Sequence, residues 1–101
     1  MLVAFMPFEI QGGATAEVAR SMSERLKELL DADPRIELAP AGVEPRYLVK
    51  GAVYAGEGNR AFISLLVLDA KSRGTLWSEN YDYRGISADM IAPDIIKALL
   101  K

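Results

Sequence analysis

The run Leu68-Asp69-Ala70-Lys71-Ser72-Arg73-Gly74-Thr75-Leu76-Trp77-Ser78-Glu79-Asn80-Tyr81-Asp82-Tyr83 constrains the fold more than any other stretch of this 101-residue chain. It sets a charged turn between two segments of strand character. Lys71-Ser72-Arg73-Gly74 reverses the chain. Beyond it Thr75, Trp77, Glu79, Tyr81 and Tyr83 alternate with Leu76, Ser78, Asn80 and Asp82, the two-residue period of a strand. A second hairpin precedes it, since Arg46 to Ala55 and Asn59 to Ala70 flank the tight connection Gly56-Glu57-Gly58. Between Asn59 and Ala70, Phe62, Ser64, Leu66 and Leu68 share one face and Ile63, Leu65 and Val67 the other. This strand is therefore apolar on both sides and is expected to be central, with both faces covered.

Around this meander the remaining elements follow from periodicity. Leu2 to Phe8 is a short apolar run closed by Pro7, the mark of a buried strand whose end leaves the hydrogen-bonded ladder. Glu9 to Gly13 read as a loop, after which Val18, Met22, Leu26, Leu29 and Leu30 recur at helical spacing. Pro34 ends that helix, and Arg35 to Ala39 alternate as a short strand. Pro40 to Pro45, with Gly42 between, read as an irregular connector. From Ser87 onward Ile91, Ile95, Ile96, Leu99 and Leu100 form a second helical stripe, with Ser87 as N-cap and the regular helix expected to begin close to Pro93. The order β-α-β-β-β-β-α predicts an α/β (α+β) domain with a mixed five-stranded sheet and helices packed on it.

Composition bounds the function. The chain has the size of one domain spanning residues 1–101. Because it opens in a strand and stops inside a helical stretch at Leu99-Leu100-Lys101, it reads as a domain excised from a longer protein. With 12 basic and 14 acidic residues, it offers no general field for a phosphate backbone, so nucleic acid is not an expected partner. Without cysteine or histidine it has neither thiolate chemistry nor the commonest general base.

No set of side chains reads as catalytic, metal-binding or cofactor-binding. Asp69, Glu79 and Asp82 cluster around one hairpin, but Asp69 at a strand end reads as a turn former and the other two as solvated. Gly56-Glu57-Gly58 joins strands instead of opening a helix, so it lacks the stacked amides of a phosphate loop. Gly12-Gly13 precedes a helix but has no lysine beside it. Trp77 is expected to pack in the core under a helix. Tyr81 and Tyr83, with Asp82 and Glu79, are the candidate interaction residues. A small-ligand receptor, the competing reading, would hold its pocket between sheet and helices with Ser64 on the floor.

Three stretches carry a family resemblance. Val3-Ala4-Phe5-Met6-Pro7-Phe8 resembles an opening "V-x-x-x-PF" strand, and Tyr47-Leu48-Val49-Lys50-Gly51-Ala52-Val53 resembles a "Y-x-L-x-G-x-V" strand. Leu68-Asp69-Ala70 with Gly74 to Asp82 resembles an "L-D-A-x-T-G-x-x-L-W-x-E-x-Y-D" hairpin. In this order they resemble the TolB amino-terminal-like domains of bacterial membrane signalling proteins. Ser72-Arg73 stands where that family has Thr-Gly, which implies a turn one residue longer, and Lys50 departs from its usual acidic or apolar residue.

The resemblance implies an anticodon-binding-domain-like fold and a non-catalytic sensory or protein-interaction module. It would lie on the periplasmic or extracytoplasmic side of a membrane-anchored parent, such as an adenylate cyclase, a winged-helix regulator or a tetratricopeptide-repeat protein. The implied partner is another protein or a second copy. A small-ligand receptor and a cell-envelope lipoprotein domain are the alternatives.

Overall fold

The structure, a computed structural model, describes residues 1–11, 16–55, 61–82 and 86–100. Gly12-Gly13, Gly56-Glu57-Gly58 and Tyr83 lie outside the described residues. Among the described residues, six strands and two helices follow one another as β1 (Leu2–Phe5), β2 (Glu9–Gln11), α1 (Ala16–Asp31), β3 (Glu37–Leu38), β4 (Tyr47–Ala55), β5 (Ala61–Asp69), β6 (Thr75–Asp82) and α2 (Ala88–Leu99). The sheet runs β3-β1-β4-β5-β6, with β2 also paired to β4. β1 is parallel to both β3 and β4, whereas β4, β5 and β6 form the antiparallel meander.

The loop expected at Glu9 to Gly13 is replaced at its start by β2, which aligns Glu9, Ile10 and Gln11 with Ala52, Val53 and Tyr54. Proline explains the division. Pro7 has no N–H to give the ladder, so β1 stops at Phe5, Met6 donates its N–H to the Val49 carbonyl at 2.9 Å, and the chain rejoins β4 beyond the break. β1 and β2 thus lie in succession along the nine-residue β4.

Phe8 leaves this break to cover Gly51. An added Cβ on Gly51 would overlap the Phe8 ring, which is itself buried and lies 6.1 Å from the Phe5 ring. The phenylalanine of the first motif and the glycine of the second are therefore two halves of one packing contact.

α2 begins at Ala88, five residues before Pro93, so Pro93 lies inside the helix. The missing proline N–H forgoes one helical hydrogen bond, but Pro93 is on the exposed side, where water can serve the orphaned carbonyl. Ser87 does occupy the N-cap position. Its carbonyl accepts from Met90 and Ile91, while its side chain makes no capping bond. No helix among the described residues is long and apolar enough to cross a membrane.

Both helices lie on one face of the sheet. Leu26 and Leu30 of α1 and Ile91, Ile95 and Leu99 of α2 share a single core with Val3, Val49, Val53, Ile63, Leu65 and Val67. Each fully buried aliphatic side chain of this set contributes about 1.5–3 kcal/mol. An Arg25–Asp89 salt bridge of 3.0 Å links the exposed sides of the two helices. The expectation that both faces of β5 are covered is thus corrected, because Phe62, Ser64 and Leu66 on its other face remain half-exposed. Trp77 packs against the edge of the helix-side core and is only partly buried.

Candidate functional site

The uncovered face of the sheet is built from the strand residues that alternate with the core. On β4 these are Leu48, Lys50, Ala52 and Tyr54, which stand opposite Leu68, Leu66, Ser64 and Phe62 of β5. On β6 the neighbours of Leu66, Ser64 and Phe62 are Ser78, Asn80 and Asp82. The two ends of this face are apolar and its centre is mixed, with Lys50, Leu66 and Ser78 in one row and Ala52, Ser64 and Asn80 in the next. The Tyr54 and Phe62 rings stack across the strands at 5.6 Å and 26°. Leu48 and Leu68 are buried although they belong to no part of the helix-side core.

At the top of β6 the register shifts. Thr75 opposes Leu68 and Trp77 opposes Val67, so Leu76 is left over at a bulge, 55% exposed.

Where β1 hands over to β2, this face sinks into a depression of 330 Å³ lined by Met6, Glu9, Lys50, Ala52, Ser64 and Leu66. Ser64 therefore faces away from the helices. The pocket expected between sheet and helices with Ser64 on its floor is not found: the depression of 270 Å³ between the sheet and α1, lined by Phe5, Phe8, Ile10, Ala19 and Lys27, lies apart from Ser64, and the core buries no polar or charged side chain among the described residues. Sequence reasoning passed over Lys50 and Glu9 as site residues. The signal for Lys50 was present: it is the one charge in the Tyr47–Ala55 run.

The sequence-derived interaction residues divide between the two faces. Tyr81 lies opposite Ile63 on the helix side, and its hydroxyl donates to Asp94 Oδ2 at 2.8 Å, tying β6 to α2. Burial, and then the Asp94 carboxylate, push its phenol well above the usual tyrosine value. Glu79 lies opposite Leu65, is exposed, and accepts the Asn80 N–H at 3.3 Å. Asp82 stands opposite Phe62 on the uncovered face and is partly buried. Tyr83 is outside the described residues.

The other carboxylates serve the architecture. Asp69 Oδ1 accepts the N–H groups of Lys71 and Ser72 at 2.9 Å each, bonds that hold its carboxyl below the usual value, with Ser72 the larger cause. It is the turn former the sequence indicated, and the turn includes Arg73 in the left-handed region at φ 63°. Asp33 accepts two guanidinium bonds from Arg35, at 3.0 and 2.8 Å, as well as the Arg35 N–H, and is held down to about 2 by them. Among the described residues, no three His, Cys, Asp or Glu side chains converge as metal ligands.

No protein-family profile matches the chain, and no curated protein matches it in sequence. Solved structures do match in fold. The LpoB C-terminal domain from Escherichia coli superposes with a TM-score of 0.68 at 10% identity, covering 80% of this chain and 80% of that one. Lipoprotein GNA1162 from Neisseria meningitidis gives 0.62 at 11% identity, covering 98% and 93%. TolB from Acinetobacter baumannii gives 0.65 at 15% identity, over 97% of this chain but only 28% of the TolB chain.

At these identities the likeness is one of fold, and it supports the TolB-like architecture indicated by the motifs. None of the three names a cyclase, a winged-helix regulator or a tetratricopeptide protein, so the signalling context gains no support from them.

Proposed function

We propose that this chain is a non-catalytic protein-docking module of the bacterial cell envelope, working on the extracytoplasmic side as part of a lipoprotein or another membrane-anchored protein. The observation that carries the reading is the sheet's uncovered face. Tyr54, Phe62, Leu66 and Met6 remain in reach of solvent while two helices seal the opposite side. An apolar face of this kind is an interaction surface in the making, and the outer strand β6 extends it with an edge that contains no lysine or proline to discourage pairing. The fold shared with the LpoB domain and the GNA1162 lipoprotein supports the envelope setting.

A photo-activated cross-linking residue at Ser78 or Asn80 of the full-length protein, irradiated in intact cells, tests this. Protein adducts from these two positions and none from Lys27 on the exposed side of α1 are expected. Equal yields from all three, or none from the sheet positions, would overturn it. Protease accessibility in cells with a permeabilised outer membrane checks the location.

The hairpin motif carries a second reading, in which the same module serves a signalling protein such as an adenylate cyclase. A cyclase or winged-helix segment and a hydrophobic span in the full reading frame would favour it.

A further inference from the structure

We infer that the occupant of the uncovered face is a second copy of this chain, docked about a two-fold axis through the Met6–Leu66 depression so that Lys50 of each copy meets Glu9 of the other. The inference rests on reading this face as a protein-docking surface and specifies what docks there.

Two charges, one of each sign, stand at this depression. Lys50 and Glu9 line the same depression, yet neither side chain forms an ion pair or hydrogen bond with any described residue. Around them the lining is largely apolar, with Met6 41% exposed and Ala52 and Leu66 half-exposed. A partner that covers these apolar groups must also take the ammonium and the carboxylate out of water. An ion desolvated without a counter-ion is costly, so the partner has to bring an anion to Lys50 and a cation to Glu9, at the same separation and within an apolar surround.

A second copy carries that pair at that separation by construction. A two-fold contact applies each complementary pair twice, which is the self-matching that isologous interfaces require. It also joins two half-covered sheets face to face, at the spacing of about 10 Å at which inner side chains of stacked sheets interdigitate.

Sedimentation equilibrium of the 101-residue chain across a concentration series tests the inference, with circular dichroism confirming the fold of each variant. The mass is expected to rise from 11.0 kDa toward twice that value. Lys50→Glu and Glu9→Lys should each weaken association on the order of a hundredfold, tenfold for each of the two symmetry-related pairs. The double variant Glu9→Lys/Lys50→Glu should recover most of the loss. Leu66→Asp, which leaves both charges in place, should also give the monomer.

A wild-type chain that stays at the monomer mass would overturn the inference while leaving the cross-linking test for a foreign partner standing. A dimer indifferent to Lys50→Glu, or a double variant as weak as the single ones, would equally overturn it.

Discussion

The two faces of β5 are close to equal in apolar content and opposite in fate. Ile63, Leu65 and Val67 are wholly buried, while Phe62, Ser64 and Leu66, interleaved with them, remain half-exposed. The side chains themselves do not decide the difference. The chain's path does: both helices pack on the face that carries Val3, Val49 and Val53, and no described element returns over the other. A strand that is apolar on both sides is therefore half core and half uncovered surface, and the second half gains hydrophobic stabilisation only when something covers it.

The largest effect expected of a single substitution comes from cutting the same group on the two faces. Leu65→Ala should cost about 2–5 kcal/mol, because the surrounding core cannot close the cavity, whereas Leu66→Ala should cost about 1 kcal/mol or less in the monomer. Urea unfolding of dilute protein measures both, and equal costs would break the comparison. Next is Gly51→Val, which should cost about 1–3 kcal/mol because the new side chain claims the space of the Phe8 ring. Adding Phe8→Leu should return part of that loss, which a clash located elsewhere would not allow.

Smaller effects sharpen the boundary between the faces. Tyr81→Phe removes the bond to Asp94 that holds β6 to the helix side, and should cost about 1 kcal/mol in the same assay. The smallest is a pH effect at the turn after α1. Arg35 lowers the Asp33 carboxyl from 3.8 to about 2, so its stabilisation is complete above 3.8 and is lost as pH falls through about 2. Unfolding measured at stepped pH should show that acid-side slope in the wild type and less of it in Asp33→Asn.

Much of the fold was legible in the sequence because periodicity and turn chemistry are local. The hairpin through Lys71–Gly74, the α1 stripe and the irregular connector before β4 all lie where spacing and breakers place them. β2 was not legible: Glu9-Ile10-Gln11 is too short to show a period, and it is a strand only because β4 extends past the end of β1. The start of α2 was misplaced for a related reason. Pro93 looks like a boundary from its own chemistry, but burial of Ala88, Ile91 and Ala92 in the core holds the preceding turn helical.

The candidate site was less legible than the fold. Alternation names the two sides of a strand without saying which one the helices choose, so Ser64 was assigned to the wrong side of the sheet. Lys50 and Glu9 are far apart in sequence and share a site only through the parallel pairing of β2 with β4.

The most direct test of the account is the solvent accessibility of methyl groups, read by NMR with a soluble paramagnetic probe at low protein concentration. The account predicts strong attenuation of the Leu66 and Met6 methyl signals and none for Ile63, Leu65 and Val67, with Leu66 regaining intensity as concentration rises. Equal protection of Leu66 and Leu65 in the dilute monomer would contradict it.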